Sequence, residues 1–387
     1  MKKDTLLART GRDPARYQGM VNTPVFRTST VIFPDRESYE SRGGDDFKKV
    51  RYGLSGTPTT FALEEAVAQM EGGHSAVALP SGLAAIAVAL WAFLKTGDHL
   101  LVPDTVYGPT RAFCDRRLKP NGIEAEYYDP LIGAGIGKLL KRNTRVVFCE
   151  APGSLSFEMQ DIPAIAAAAH ARGIPVLADT TWGTPYFFRS FEKGVDVSIH
   201  AATKYIAGHS DVLMGVVVTN EQHWLAVRRA VADYGYGVSP DDCYLALRGF
   251  RTIGVRMKQQ MANALKVARW LQPHQQVRRV LYPALEGDPG HALWKRDYSG
   301  AASLFSFVLA GSERGASAFI NALELFGIGS SWGGFESLAI VALIAPHRTA
   351  TKWDPGGPTI RLHIGLEDPD DLIADLERGF AAAAIAR

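Results

Sequence analysis

The sequence has 387 residues, 42 Lys and Arg against 40 Asp and Glu for a net charge of +2, and 47% hydrophobic side chains. At ~100–200 residues per domain this is material for two or three domains with a large core. The charges are interspersed, with no basic stripe to suit a nucleic-acid partner. The longest apolar run, Leu83–Leu94, falls short of the ~20 residues a bilayer span needs, so no membrane role is expected. Residues 1–20 are charged throughout, which does not fit a secretory leader. Cys114, Cys149 and Cys243 lie far apart, without metal-ligand spacing or a disulfide framework, so no metal is expected and the cysteines are read as structural. The expectation is a cytoplasmic α/β protein.

Up to about Thr60 the chain shows little periodicity and much Arg, Thr, Pro and Gly, the pattern of an extended arm that another surface must order. From Glu64 onward apolar runs alternate with helical patterns. Ser75–Leu79 reads as a strand, Leu83–Leu94 as a helix, His99–Val102 as a strand and Thr110–Leu118 as a helix. Arg145–Cys149, Pro175–Ala178 and Val195–Ile199 are further strands, with the helix Ile165–Ala171 between the first two. This alternation predicts a mostly parallel sheet covered on both faces. Past Arg248–Gly249 the rhythm changes. A long helix, Val255–Leu271, precedes strands at Gln276–Tyr282 and Ser303–Leu309, a helix at Ala316–Leu325, a strand at Thr359–Ile364 and a closing helix, Asp370–Ala384. The reading is an arm over 1–60, an α/β domain over 61–248 and a smaller α+β domain over 249–387.

Five places carry candidate chemistry. Lys204, in Ala201-Ala202-Thr203-Lys204-Tyr205, sits just past the end of a core strand. It is either a solvated surface lysine or a Schiff-base amine of the kind that a sheltered site activates. Asp179 ends the strand Val176-Leu177-Ala178-Asp179, where α/β sheets bind ligands. It either caps the next turn or stands beside the ring nitrogen of pyridoxal 5′-phosphate, keeping that ring protonated as an electron sink. An acid at one strand end and a lysine at another form a more specific pair than either alone. Pro80-Ser81-Gly82-Leu83 is a strand-to-helix turn whose backbone N–H groups suit a phosphate, although such turns also start ordinary helices. Tyr107, again between strand and helix, either stacks on an aromatic cofactor or closes the turn. Arg361 lies on an otherwise apolar strand, where it meets either an inter-domain acid or the carboxylate of an amino-acid substrate.

With these in order, the chain resembles the pyridoxal-phosphate enzymes of cysteine and methionine metabolism over nearly its whole length, and within them it is most similar to the cystathionine β-lyases. The resemblance is carried by Ala201-Ala202-Thr203-Lys204-Tyr205, Ser331-Trp332-Gly333-Gly334-Phe335-Glu336-Ser337-Leu338 and His291-Ala292-Leu293-Trp294-Lys295-Arg296-Asp297. Asp129-Pro130-Leu131-Ile132-Gly133 and Leu362-His363-Ile364-Gly365-Leu366-Glu367-Asp368 add to it. It implies the aspartate-aminotransferase (fold type I) architecture and a homotetramer of two catalytic dimers with shared sites. By position, Lys204 would carry the cofactor, Asp179 would meet its pyridinium nitrogen and Tyr107 would stack on its ring. Gly82, Leu83 and Thr203 would hold its phosphate, with Tyr52 supplied by the partner subunit. Arg361, with Ser331 and Trp332, would take the substrate α-carboxylate.

The implied reaction is carbon–sulfur β-elimination from L-cystathionine or a related cysteine S-conjugate, giving a thiol, pyruvate and ammonia. One departure stands out. Where the family's arm carries basic residues after its tyrosine, this chain reads Tyr52-Gly53-Leu54-Ser55-Gly56-Thr57, which removes two charges from the far end of the substrate. Arg51 and Arg111 are the nearby basic residues. An uncharged far end also suits a small amino acid such as alanine. The alternative activity is therefore racemisation, with Tyr107 as proton donor on the second ring face. His209, Asp211 and His363 are read as scaffold.

Overall fold

The computed structural model describes residues 1–44 and 47–386. Seven strands form the larger sheet: β1 (Ser75–Leu79), β2 (His99–Pro103), β3 (Glu124–Tyr128), β4 (Thr144–Glu150), β5 (Val176–Asp179), β6 (Val197–His200) and β7 (Gly215–Thr219). Their order is β1-β7-β6-β5-β4-β2-β3. The pairs β3–β2, β2–β4, β4–β5 and β5–β6 are parallel, and β7 runs antiparallel between β6 and β1. Six strands therefore point their carboxyl ends at one edge.

Alternation along these strands sends side chains to two cores. Val77, Leu79, Leu100, Val102, Val146 and Phe148 pack under the helices Gly82–Trp91 and Glu221–Asp233. Ala76, Leu101, Val147 and Cys149 face the opposite way, toward Pro58–Glu71, Ile162–His170 and the C-terminal part of the chain. All three cysteines are buried and free.

The smaller sheet comprises β8 (Val277–Leu281), β9 (Leu304–Leu309), β10 (Gly327–Ile328), β11 (Leu338–Ala342) and β12 (Thr359–His363) in the order β10-β11-β12-β9-β8. Phe307, Phe319 and Phe380 join it to the helices Glu313–Asn321 and Pro369–Ile385, with ring centroids 4.9–5.8 Å apart. Strands β3, β7, β10 and β11 are not anticipated by the sequence reading. β3 is an edge strand whose exposed Glu124 and half-buried Glu126 flank a buried Ala125 and break the apolar signal, while β7 hides in a run of three valines directly after a loop.

The first residues do not trail away from the body. In the helix Lys3–Arg9, Leu7 is buried, the Tyr186 hydroxyl donates to Asp4 at 2.6 Å, and Arg251 donates to the Leu7 carbonyl at 2.7 Å. Between that helix and Pro58–Glu71, Met20, Val21, Ile32, Tyr39, Tyr52 and Leu54 are exposed.

A buried clamp ties the two sheets together at the carboxyl edge. Asp104, in the turn after β2, accepts from Arg111 at 2.5 Å and from the backbone N–H groups of Thr349, Ala350 and Thr351 at 2.8–3.2 Å. Burial alone would raise the Asp104 pKa, but these donors outweigh it and hold the carboxyl below its usual range. A lowered folded pKa contributes stability above the unfolded value of ~3.9, and that stability disappears as pH falls through the folded value. Asp104→Ala leaves Arg111 buried without its acid, so it should destabilise the protein by about 3–5 kcal/mol. The loss should appear as a lowered melting temperature at pH 7, and the gap to wild type should close on acidification well below pH 4.

Candidate active site

Because the strands point one way, the residues following β1, β2, β4, β5 and β6 converge on one cavity of about 620 Å³. Ser81, Gly82 and Leu83 arrive after β1, Tyr107 after β2, Glu150 at the end of β4, Asp179 at the end of β5, and Ala201, Thr203 and Lys204 after β6; Arg361 on β12 and Trp332 complete the wall from the other sheet. Of the residues picked from sequence, only Tyr52 and Ser331 do not line this cavity. Ser331 nevertheless touches its centre, because the Lys204 amine donates to its hydroxyl at 2.8 Å.

Lys204 is held between groups that make its charge costly. Burial first, then the neighbouring Arg361 guanidinium, lower its pKa to about 8, with only Asp179 acting the other way. The amine also stands 5.4 Å from the centre of the Trp332 ring. Arg361 is buried, and burial lowers its pKa to about 10. Its Nη2 donates to the carbonyls of Gly329, Ser330 and Ser331 at 3.0–3.2 Å, while its Nε, although buried, has no partner. A free buried donor on a guanidinium facing a cavity is what an anionic ligand group would satisfy.

The loop carrying Ser331 and Trp332 is fixed from behind. Gly333 adopts φ +86°, and a Cβ there would come within 3.0 Å of three backbone atoms of Lys204 and Tyr205. The Gly333 N–H donates to His363 Nε2 at 3.0 Å, which leaves His363 Nδ1 to donate to Ser303 Oγ at 3.2 Å. Burial, with Arg361 and Lys204 nearby, pushes the His363 pKa down to about 3, so the imidazole is neutral and able to accept.

Opposite lies an acidic corner. Asp179 Oδ1 accepts from the Thr181 N–H at 2.9 Å and from its hydroxyl at 2.6 Å. Burial raises the Asp179 pKa, and those two donors, His200 and Lys204 oppose the rise. No protein donor engages Oδ2, among the described residues. Glu150, cross-strand from Asp179, accepts from the Tyr107 N–H at 2.8 Å. Burial and the Asp179 charge push its pKa far above the carboxylate range. Behind Asp179, the buried His200 meets Glu71 at 2.6 Å, and Glu71 also receives the Ser190 and Ser198 hydroxyls.

These features fit pyridoxal phosphate. A carboxylate oxygen without a protein donor suits a ring N–H, and a sheltered amine suits a Schiff base. At the start of the helix Gly82–Trp91 the backbone comes so close to the strand-end loop that a Cβ on Gly82 would lie 2.6 Å from that of Ala201. Ser81 caps that helix by accepting from the Ala84 N–H at 3.1 Å, so the cap leaves the N–H groups of Gly82 and Leu83 to an anion. The Thr203 hydroxyl faces its own loop, accepting from the Met214 N–H at 2.9 Å and donating to its carbonyl at 3.2 Å. Tyr52 is 51% exposed on the arm.

The sequence reading omitted Glu150, Thr181 and the His200–Glu71 pair. Glu150 was open to detection, since it ends an apolar strand just as Asp179 does. His200–Glu71 joins residues 129 positions apart, and nothing local announces it. His363, read as scaffold, holds the loop carrying Ser331 and Trp332 through the Gly333 N–H. Arg111 does not reach the cavity, because Asp104 and the Tyr127 ring 3.6 Å away hold it.

Comparison with known proteins agrees with this geometry. The family profile described as Cys/Met metabolism PLP-dependent enzyme matches residues 4–381. The chain is 52% identical to a protein of Rhizobium johnstonii named "Putative cystathionine beta-lyase", over 98% of this chain and 96% of that one. It is 43% identical to "Cystathionine beta-lyase MetC" of Escherichia coli, over 98% of each. A solved structure titled "Crystal structure of metB from Corynebacterium glutamicum" superposes with a TM-score of 0.91 at 30% identity, covering 98% of both chains.

The lowered pKa of Lys204 is measurable on cofactor-free protein. Reductive methylation followed by peptide mapping should show Lys204 reacting with a midpoint near pH 8. Arg361→Leu should move that midpoint upward by removing a repelling charge, and Asp179→Asn downward by removing an attracting one. A midpoint near the ordinary lysine value would contradict the assigned environment.

Proposed function

We propose that this chain, which belongs to the Cys/Met metabolism PLP-dependent enzymes, is a carbon–sulfur β-lyase acting on L-cystathionine or a related cysteine S-conjugate in methionine and sulfur amino-acid metabolism. Membership brings the fold-type-I α/β architecture, pyridoxal phosphate as cofactor and a small amino-acid substrate. The names of its relatives support the choice of lyase. The observation that carries the reading is the joint presence, in one cavity, of a depressed lysine amine, a carboxylate oxygen without a protein donor and a guanidinium with a buried free N–H.

When bound, pyridoxal phosphate supplies an electron sink for the pair left at the substrate Cα. The protein's residues divide the remaining work. Arg361 would receive the α-carboxylate with the guanidinium N–H groups that remain, since Nη2 is already committed to the loop carbonyls. That contact fixes the amino acid's orientation, which supplies much of the rate. Lys204, neutral in an appreciable fraction of molecules near pH 7, takes the Cα proton at Nζ. Ser331 steadies that amine, and the Trp332 ring stands 5.4 Å from it. Asp179 would keep an acceptor toward the ring nitrogen, and Gly82, Leu83 and the Thr203 segment would hold the phosphate. The Cβ–S bond then breaks with its electron pair on sulfur, which takes up a proton. Water releases the rest as pyruvate and ammonium.

Tyr52 does not line its own subunit's cavity. In this reading it serves the phosphate of a partner subunit, so the working unit is a catalytic dimer, paired into a homotetramer in the cytoplasm.

Holoenzyme given L-cystathionine should release thiol and pyruvate in equal amounts, and Lys204→Ala should abolish both. Borohydride should fix the cofactor on Lys204, as peptide mapping would reveal. Arg361→Leu should raise KM on the order of 10–100-fold, the worth of hydrogen bonds to a charged group. Absence of thiol together with rapid conversion of L-alanine to D-alanine would replace this reading with racemisation, which the uncharged Leu54 and Ser55 would then explain.

A further inference from the structure

Resting on the lyase reading, we infer that the site selects cysteine S-conjugates whose sulfur carries an uncharged alkyl or aryl group, over conjugates ending in a second α-amino acid. The cavity's charged or titratable lining is small: Glu150, Asp179, Lys204, Arg361 and the exposed His347, besides the Tyr107 phenol. The first four have been accounted for, Glu150 by the Tyr107 N–H and the others by cofactor and α-carboxylate. Beyond them, besides the uncharged hydroxyls of Ser154 and Ser330, the wall is largely apolar, with Leu155, Phe157, Ile340, Val341 and Leu343. This wall starts at the carboxylate site, because Ile340 is the cross-strand partner of Arg361 and so faces the same side of the sheet.

A far end bearing both ammonium and carboxylate would need an acid and a base there. The arginines nearest that wall are already held. Arg111 is buried against Asp104 at 2.5 Å. Arg348, next to His347, donates to Ser156 at 2.8 Å and is ion-paired with Glu158. Swinging either into the cavity would strand the acid it leaves. Of the arm residues brought by a partner subunit under the reading above, Tyr52, Leu54 and Ser55 add no charge at neutral pH, and Arg51 beside them already donates to the Gly44 carbonyl at 2.9 Å. A second zwitterionic end would therefore lose water without gaining partners, whereas a benzyl or alkyl group meets matching surface.

Stopped-flow absorbance of the holoenzyme's cofactor band gives the affinity for each amino acid whatever reaction follows, while thiol release reports elimination separately. S-benzyl-L-cysteine should bind at least tenfold tighter than L-cystathionine. Leu343→Arg, at a position 65% exposed that tolerates charge without unfolding, should shrink that ratio tenfold or more. Equal or tighter binding of cystathionine by the wild type overturns the inference, as does a ratio unmoved by Leu343→Arg. The expected affinity order without any thiol release supports the selectivity and overturns the lyase reading instead.

Discussion

A half-buried lysine amine set beside a guanidinium is the constraint on which the rest of the structure depends. Neither burial nor Arg361 favours an ammonium at Lys204, and Asp179 is the only charge drawing it back. An arrangement of this kind does not stabilise a fold, because a buried like-charge pair costs free energy that packing elsewhere must offset. Its use is chemical: it keeps a nucleophilic, basic amine at a pH where an exposed lysine is almost fully protonated.

Holding that amine in place takes two sheets. The parallel strands set the backbone of Lys204 and Asp179 at adjoining strand ends, since β5 and β6 pair side by side. The smaller sheet presents Arg361 and His363 from one strand, two residues apart and so on one face. Between the sheets the 329–334 loop is held at two points by that face, its carbonyls by Arg361 and its Gly333 N–H by a neutral His363. Gly333 allows this loop to lie against the lysine's own backbone, where any side chain would collide. The Asp104 clamp performs the same service at the cavity's other side, fixing residues 349–351 of the smaller part to the turn after β2. The two sheets are thus locked by polar contacts close to the reacting groups, not by the apolar cores alone.

Much of this was legible in the sequence. Strand ends could be read because parallel strands buried on both faces are short β-branched runs, and the chemistry-bearing residues follow them directly: Asp179 after Val176-Leu177-Ala178, and Lys204 four residues beyond His200. Arg361 was legible for the opposite reason, as a charge within an apolar strand. What stayed hidden depends on pairing between distant segments. The Asp104–Thr349 contacts span about 245 positions and His200–Glu71 spans 129, with no periodicity to mark either. Edge strand β3 was missed because its outer side is wet, and the docking of Lys3–Arg9 because a seven-residue helix with one buried leucine has almost no amphipathic signal.

The paired acids at the ends of β4 and β5 close the electrostatic argument. Glu150 and Asp179 are cross-strand neighbours in a sheltered cavity, so both cannot carry charge. Asp179 receives two donors on one oxygen from Thr181 and feels the fields of His200 and Lys204, all of which favour its carboxylate. Glu150 is driven the other way by burial and by Asp179 itself, both of which raise its pKa. The cavity then holds one fixed negative charge at Asp179 and one fixed positive charge at Arg361. In the proposed reading a protonated ring nitrogen would answer the first and an α-carboxylate the second. Under the proposed reading neither charge is left for the far end of a substrate, where the lining is largely apolar apart from the exposed His347.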